Sequence, residues 1–172
     1  MAKDTKQPNP RRREIRTFLE KVVVDAGVGR LGQQPNFEEK TLVQVSRDLA
    51  AMTGQKAQLR RAKKSIAGFK VREGAVVGLR VTLRGARMVD FFERLITIVL
   101  PRVRDFKGLE RTSVDAGGVL SLGIREHVVF PEIEPEQSPV TFSLGVSIVP
   151  KVKNQKKSME EFIKLGVPMK KK

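Results

Sequence analysis

Three segments of the chain alternate apolar and polar residues with a period of two, and this pattern restricts the fold more than any other feature. The apolar positions are Val77, Leu79, Val81 and Leu83 in the first segment, Leu120, Leu122 and Ile124 in the second, and Val140, Phe142, Leu144, Val146 and Ile148 in the third. Because successive side chains of a strand point to opposite faces, each segment is predicted to be a strand with one buried face. Such alternation is typical of antiparallel sheets covered on one side only.

Two segments have the spacing of helices that would cover the buried face. The clearer one opens at Gly85, ends near Pro101 and carries an apolar stripe. The stripe consists of Met88, Phe91, Phe92, Leu95, Ile96 and Val99. A second helix is predicted from an Asn36 cap to Thr53, with Gly54 as its C-terminal stop.

The order of the elements favours an α+β fold. A first strand is predicted over 18–26, and strands do not alternate strictly with helices. We therefore expect a largely antiparallel sheet with helices packed on one face and the other face open. One such domain is predicted over 14–166. A basic flexible arm is predicted over 1–13, where Pro10 disfavours a helix, and a basic tail over 167–172.

The face of the predicted strands opposite the apolar one is mostly small, hydroxyl-bearing or basic, and acids are nearly absent from it. It presents Lys21, Asp25, Arg80, Thr82, Arg84, Ser121, Gly123, Thr141, Ser143, Gly145 and Ser147. A solvated face normally carries more lysine and glutamate, whereas a flat face of this composition lets an RNA backbone approach closely. Aromatic residues, on which single-stranded bases stack, are missing from these positions. We therefore expect the open face to bind folded RNA by its shape and backbone.

The net charge of +15 indicates a polyanionic partner. Residues 55–87 hold ten Lys and Arg against one acid, Glu73. An internal block of this kind favours contact with nucleic acid or an anionic membrane surface over a merely solvated surface. The sequence has no cysteine and no run of 18 apolar residues, so we expect a cytoplasmic protein without a membrane segment.

A glycine motif supplies the sharpest alternative, a dinucleotide-dependent enzyme. Gly27, Gly29 and Gly32 match G-x-G-x-x-G after the first strand. In dinucleotide folds the helix begins within the motif, whereas Asn36 places the helix start after it. The single histidine, His127, has no partner for a metal site. No catalytic residue, metal or cofactor is predicted, and a generic basic protein that binds nucleic acid or anionic membranes is the third possibility.

An acidic loop is predicted where three glutamates surround two prolines. These are Glu132, Glu134 and Glu136, next to Pro131 and Pro135. Charge balance is one interpretation of the loop, and contact with a basic protein is the other.

Several longer stretches match one known family. They are Asp25-Ala-Gly-Val-Gly29, Thr53-Gly-Gln-Lys56, Arg61-Ala-Lys-Lys-Ser-Ile-Ala-Gly-Phe-Lys70, Val81-Thr-Leu-Arg-Gly85, Phe91-Phe-Glu-Arg-Leu-Ile-Thr-Ile98 and Pro101-Arg-Val-Arg-Asp-Phe-Lys-Gly108. In these motifs the chain resembles the bacterial-type family of large-subunit ribosomal protein five. The resemblance extends over about residues 18–150.

The resemblance implies a structural constituent of the large ribosomal subunit. Such a protein binds 5S rRNA, helps attach it to 23S rRNA in the central protuberance beside neighbouring proteins, and contacts P-site tRNA and small-subunit head protein thirteen. The expected 5S rRNA contacts are Lys21, Asp25, Gln55, Arg60, Arg61, Lys63, Lys64, Arg80, Thr82 and Arg84. The expected tRNA-proximal loop is Arg72, Gly74, Ala75 and Val76. The expected bridge contact is Glu132, Glu134 and Glu136.

Four features depart from the family pattern, one of which is a glycine turn before the first helix that is a few residues longer than usual. Asp25 stands where the family usually has Asn, and Val76 where it usually has Pro. The amphipathic N-terminal helix of the family is predicted to be missing, with the basic arm in its place. A carboxylate only accepts hydrogen bonds and repels phosphate, so Asp25 is expected to accept from a base amine or a ribose 2′-hydroxyl.

Overall fold

A computed structural model describes residues 10–33 and 36–170, which form a five-stranded sheet with helices. The strands are β1 (Leu19–Gly27), β2 (Gln58–Arg61), β3 (Val76–Leu83), β4 (Leu120–Ile124) and β5 (Leu144–Pro150). Their spatial order is β2-β3-β1-β5-β4, and every neighbouring pair is antiparallel. The predicted α+β class with a largely antiparallel sheet is confirmed.

The helices supply the apolar layer beneath the sheet. They are α1 (Pro10–Phe18), α2 (Leu42–Thr53), α3 (Gly85–Arg94), α4 (Leu100–Arg102) and α5 (Gln155–Lys164). A π-helical turn, Leu95–Val99, joins α3 to α4 without a break, as the apolar stripe predicted. Phe91 and Phe92 of that stripe are 1% exposed, and Phe91 stacks on Phe130 with ring centroids 5.9 Å apart. Alternate strand residues such as Val24 and Val81 pack into the same core.

Helix α1 shows that the predicted arm was wrong over residues 10–13, and so was the predicted lack of an N-terminal helix. Pro10 is its first residue, where the missing N–H breaks no intrahelical hydrogen bond and the fixed φ suits a helix. Ile15 is fully buried, and Arg12 forms an ion pair with Asp90 of α3. The rest of the predicted arm, residues 1–9, lies outside the described residues.

The start of α2 also differs from its prediction. Asn36 directly precedes the first helical turn, as predicted, but it is left-handed with a φ of 60° and its side chain makes no cap hydrogen bond. The chain enters α2 through a π-helical turn, Phe37–Thr41, whose Phe37 is buried. The predicted stop is confirmed, because Gly54 is left-handed with a φ of 67° and its N–H donates to the carbonyl of Ala50 at 2.8 Å.

The predicted strands that correspond to β3 and β5 differ from the structure at their first residues. Strand β2 was not predicted, and its pairing with β3 contains an irregularity between Arg60 and Arg61. Val76 is consequently buried and Val77 only half-buried, which reverses the alternation predicted at the start of β3. The third alternating segment pairs only from Leu144 onwards.

The first residues of the predicted tail belong to the folded body. Val167 is 3% exposed. The N–H of Leu109 donates to the carbonyl of Pro168 at 2.8 Å, and the N–H of Lys170 donates to the carbonyl of Leu109 at 2.9 Å. Residues 167–170 are therefore held by backbone hydrogen bonds.

Candidate nucleic-acid interface

The strand register arranges the polar residues of the sheet in rows, on a surface we call the open face. One row crosses all five strands through Gln58, Arg80, Asp25, Gly145 and Gly123. The adjacent row contains Thr82, Val23, Ser147 and Ser121. Two residues along a strand separate the rows, which is about 7 Å. Predicted contact residues from distant parts of the sequence therefore share one flat surface.

The glycines of the open face differ in what they do for the fold. A Cβ at Gly78 would lie 3.0 Å from the carbonyl oxygen of Ala26, so close strand packing explains that glycine. A Cβ at Gly27 or Gly123 would meet nothing within 4 Å. Packing inside the chain does not require these two glycines, whereas close approach of a ligand would.

Asp25 and Arg80 form a bidentate ion pair on the open face. The Nε of Arg80 donates to Oδ1 of Asp25 at 2.5 Å, and Nη2 donates to Oδ2 at 3.0 Å. The hydrogen bond to Asp25 raises the pKa of Arg80. Arginine has five N–H donors, so donors remain for an external ligand after these two bonds. The pair gives the carboxylate at position 25 a cation within the chain, which offsets its repulsion of phosphate.

The C-terminal end of α2 places Gln55 beside Thr82. The hydroxyl of Thr53 donates to the carbonyl of Leu49 at 2.6 Å, and the left-handed Gly54 then turns the chain. The amide of Gln55 donates to the backbone carbonyl of Thr82 at 3.4 Å. This helix end brings two predicted contact residues together.

Two further predicted residues border the open face. Lys21 is half-buried, and its Nζ lies 3.3 Å from Oε1 of Glu20. Arg84 is exposed in extended backbone immediately before α3. Both keep a cationic side chain at the margin of the open face.

The segment between β2 and β3, residues 62–75, is named the basic loop. Its base closes through the N–H of Ala62, which donates to the carbonyl of Ala75 at 2.8 Å. Ile66 and Val71 exchange two backbone hydrogen bonds of 2.9 and 3.2 Å nearer the tip. Backbone hydrogen bonds therefore hold much of the loop, and the hydroxyl of Ser65 adds one by accepting from the N–H of Glu73 at 2.9 Å.

The cations of β2 and the basic loop point outwards. Arg60, Arg61, Lys63, Lys64, Lys70 and Arg72 are all exposed. Within residues 10–33 and 36–170, no ion pair involves any of these six side chains. Arg61 uses Nη1 to donate to the carbonyl of Gly74 at 2.9 Å, which orients the side chain without neutralising it. The segment presents a dense positive surface.

The predicted tRNA-proximal residues do not all share one position. Arg72, Gly74 and Ala75 are exposed in the basic loop. Val76 is 6% exposed in β3, opposite Arg61, so the structure separates it from the other three.

The segment that contains the predicted glutamates, residues 131–138, is named the acidic loop and likewise divides into two parts. Glu132 forms an ion pair with Arg94 of α3, and its side chain is 25% exposed. Arg94 also donates to the carbonyl of Met52 at 3.0 Å. Glu134 and Glu136 are exposed. Only these two glutamates face outwards as the bridge hypothesis requires.

A buried polar cluster anchors the end of the acidic loop. The hydroxyl of Ser138 donates to Asp48 of α2 at 2.7 Å and lies 2.8 Å from Nε2 of His127. The amide of Gln44 donates to the same hydroxyl at 2.7 Å. Burial lowers the pKa of His127, against the opposing effect of Asp48. This cluster was not predicted from the sequence, although the sequence contains one signal for it. Asp48 is a charged residue three positions after Val45, on the buried stripe of α2.

The cluster does not have the order of a catalytic triad. Asp48 accepts from the serine, whereas Nδ1 of His127 faces the backbone N–H of Phe142 at 3.4 Å. In a triad the carboxylate would orient the histidine through that nitrogen. Ser138 is also 5% exposed, so it is not placed to meet a substrate.

The glycine motif lacks the geometry of a dinucleotide site. The N–H of Val28 donates to the carbonyl of Val77 at 3.1 Å, and α2 begins only at Leu42. No helix N-terminus therefore lies within the motif. In the described parts of the chain, no three His, Asp or Glu side chains are grouped so that they could hold a metal ion. None of the helices described there is long and apolar enough to cross a membrane.

Comparison with known proteins gives matches along most of the chain. A family model described as Ribosomal protein L5 matches residues 16–72, and a second model, for the C-terminus of the same ribosomal family, matches residues 76–169. A Rubrobacter xylanophilus protein named Large ribosomal subunit protein uL5 is 47% identical over 150 residues, 87% of this chain and 81% of its own length. The uL5 protein of Chlorobaculum tepidum is 44% identical over 154 residues, covering 90% and 82% of the two chains. That of Halothermothrix orenii is 43% identical over 150 residues, covering 87% and 82%.

Proposed function

Because the chain belongs to the ribosomal protein L5 family, we propose that its open face and basic loop bind 5S rRNA. In the same proposal the protein helps attach 5S rRNA to 23S rRNA in the central protuberance, beside neighbouring proteins. The chain is a structural constituent of the large ribosomal subunit, acts in the cytoplasmic ribosome and is not an enzyme.

The 5S rRNA proposal rests on one observation. The exposed cations of β2 and the basic loop are continuous with the open face. Strand β2 pairs Arg60 with Gly78 and Gln58 with Arg80, so the edge strand belongs to the rows of the open face. The same strand leads directly into the basic loop. Cations at the edge would bind phosphates, while small and hydroxyl side chains would approach the backbone and 2′-hydroxyl groups.

The tRNA contact is proposed for the last residues of the basic loop, at its base beside β3. Arg72, Gly74 and Ala75 are exposed, and Gly74 has a φ of 82°. A glycine in this conformation permits the tight turn in which the N–H of Ala75 donates to the carbonyl of Arg72 at 3.2 Å. Val76 is left out because it is buried in β3.

The bridge contact is proposed for Glu134 and Glu136 alone. Both are exposed, whereas Glu132 is engaged by Arg94. A basic protein such as small-subunit head protein thirteen would complement the two outward carboxylates. Exposed charges of this kind steer association more than they determine affinity.

Titration with purified 5S rRNA in the presence of competitor tRNA tests the RNA proposal. We expect saturable binding to 5S rRNA and a roughly tenfold weaker affinity for Thr82→Val, because the change removes one hydroxyl from the open face and leaves its partner unsatisfied. Thr97→Val is the matched control, since Thr97 is an exposed threonine of the π-helical turn after α3. Equal affinities of Thr82→Val and wild type would place the RNA on another surface.

A further inference from the structure

Asp25 and Arg80 face each other across β1 and β3, near the middle of the open face. The two residues are direct register partners, so their side chains leave the sheet on the same side. The side chain of Arg80 is 42% exposed and that of Asp25 is 38% exposed, so both lie within reach of a bound molecule. Their other register neighbours, Gln58 and Gly145, are uncharged. The pair is therefore the only charged group in its row of the open face.

Asp25 binds one edge of the Arg80 guanidinium and leaves another edge free. Nε donates to Oδ1 at 2.5 Å and Nη2 donates to Oδ2 at 3.0 Å. The guanidinium is planar and has five N–H groups in a fixed fork, so three of them remain after these bonds. Among the described residues these three have no hydrogen-bond partner. They lie on Nη1 and Nη2, which form a free edge that can donate to two adjacent acceptors.

The charge of the pair determines which acceptors suit the free edge. A carboxylate at hydrogen-bond distance cancels most of the charge that the guanidinium presents to a more distant group. Asp25 would also repel a phosphate on the free edge, whereas it would not repel an uncharged oxygen. RNA presents uncharged oxygens on its wide minor groove, as ribose 2′-hydroxyls and base edges. Gly145, on the other side of Asp25, has no side chain that would hold such a groove away.

We propose that Asp25 is a positioning residue, which fixes the Arg80 guanidinium so that its free edge donates to ribose or base oxygens of the bound 5S rRNA. The proposal rests on the proposed function and extends it, because it gives the two residues different tasks. Arg80 contacts the RNA, and Asp25 acts through Arg80. A long arginine side chain normally loses rotamer freedom on binding, and an ion pair already formed in the free protein reduces that loss.

The substitution Asp25→Asn tests the positioning role through the sign of its effect. It removes a negative charge beside a polyanion, so electrostatics alone would strengthen binding of purified 5S rRNA. Loss of the oriented guanidinium should instead weaken binding about three- to tenfold. Glu160→Gln is the matched control, because it removes an exposed carboxylate on α5, outside the rows of the open face. The control should bind like wild type.

The same substitution should have the opposite effect when Arg80 is absent. Arg80→Gln alone leaves the carboxylate of Asp25 without its cation and facing the RNA. Adding Asp25→Asn to Arg80→Gln should therefore strengthen binding about two- to fivefold. A purely structural role of Asp25 would not reverse sign between the two backgrounds. Urea denaturation of each variant checks that it folds, which we expect because both side chains are partly exposed.

The salt dependence of the double variant identifies the acceptor. Asp25→Asn combined with Arg80→Gln removes the donors of the guanidinium and leaves the net charge unchanged. We expect 5S rRNA to bind about tenfold more weakly than to wild type, because its acceptors lose their donors. The slope of the logarithm of the binding constant against the logarithm of salt concentration should not change, since no phosphate contact is lost.

Any of three results would overturn the proposal. The first is binding of 5S rRNA by Asp25→Asn that is as tight as that of wild type or tighter. The second is wild-type affinity in the double variant, which would show that the pair does not contact the RNA. The third is a decrease of about 0.7–0.9 in the slope of the double variant, which would assign Arg80 to a phosphate. In each case saturable 5S rRNA binding by wild type would leave the proposed function standing, whereas failure of wild type to bind would overturn both.

Discussion

The basic loop and the acidic loop are both short charged segments outside the strands, yet they use their charges in opposite ways. Backbone hydrogen bonds close the basic loop, and the six cations of this loop and β2 remain outside the ion pairs of the described residues. The acidic loop also has backbone hydrogen bonds, such as that from the N–H of Gln137 to the carbonyl of Glu134 at 3.0 Å. In addition, charged side chains take part in holding it, through Glu132 to Arg94 and through Ser138 to Asp48. The difference shows that charged side chains stay available to a partner when the fold does not use them in ion pairs, as in the basic loop, and are lost to a partner when it does, as for Glu132.

The largest effect is expected from removing the side-chain anchor of the acidic loop. Ser138→Ala leaves Asp48, His127 and Gln44 without their shared hydroxyl in a buried site. We expect the free energy of unfolding to fall by about 2–3 kcal/mol, measured by urea denaturation. Ser121→Ala on the open face is the control and should change it by less than about 0.5 kcal/mol. An equally small change in Ser138→Ala would mean that the anchor does not stabilise the loop.

Acidification should affect the acidic-loop anchor. The pKa of His127 is lowered by burial from its ordinary value of 6.5, so the unfolded chain binds this proton more readily than the folded protein. Stability due to this group is therefore full above pH 6.5 and decreases as the pH falls below it, by at most about 1.4 kcal/mol per pH unit.

Urea denaturation between pH 7.5 and 5.5 measures this dependence. His127→Gln removes the titrating group and should flatten the curve, whatever its stability at pH 7.5. The same slope in the variant and in wild type would assign the pH dependence to another residue. Variants of the basic loop should keep the wild-type slope.

Reversal of the outward glutamates should affect assembly without affecting RNA binding. The double variant Glu134→Lys with Glu136→Lys should weaken association of the ribosomal subunits about three- to tenfold, mostly at low salt. Glu160→Lys on α5 is a control with an exposed glutamate elsewhere. Loss of 5S rRNA binding in the double variant, with association unchanged, would contradict the proposed placement of the loop.

The smallest effect on stability is expected in the basic segment. Replacing Arg60, Arg61, Lys63 and Lys64 together by glutamine should change the free energy of unfolding by about 1 kcal/mol or less, because none of them forms an ion pair in the described structure and the exposed Arg61 loses one hydrogen bond, to the carbonyl of Gly74. Urea denaturation at matched salt measures it. A loss comparable to that of Ser138→Ala would show that these side chains maintain the fold and would remove the contrast between the two loops.

Features governed by neighbouring residues could be predicted from the sequence. The alternation along β5 predicted which of its residues are buried, because side-chain direction in a strand depends only on position. Gly54 and Gly85 marked the end of α2 and the start of α3, since helix ends depend on local backbone conformation.

Features that depend on strand pairing, or on the position of a residue within its helix, could not be predicted from the sequence. Strand β2 is exposed along its length and so has no apolar alternation to detect. The irregularity beside Arg61 exchanges the faces of Val76 and Val77, which no local pattern indicates. Pro10 is compatible with a helix only because it is the first residue of α1.

The candidate site also contains some features that could be predicted from neighbouring residues and others that could not. The open face followed from alternation within single strands. The Asp25–Arg80 ion pair joins residues 55 positions apart, and the contact between Asp48 and Ser138 joins residues 90 apart. Both depend on how distant segments pack together, and a single sequence does not specify that packing.

The central claim is that the cations of β2 and the basic loop bind RNA phosphates, and a salt series on the quadruple glutamine variant tests it most directly. The logarithm of the 5S rRNA binding constant is measured against the logarithm of salt concentration, and each lost phosphate contact should reduce the slope by about 0.7–0.9. The matched control replaces the exposed Lys153, Lys156, Lys157 and Lys164 by glutamine, with the same change in net charge. We expect the slope to decrease by roughly 3 in the first variant and hardly at all in the control. An unchanged slope in the first variant, or an equal decrease in both, would contradict the claim.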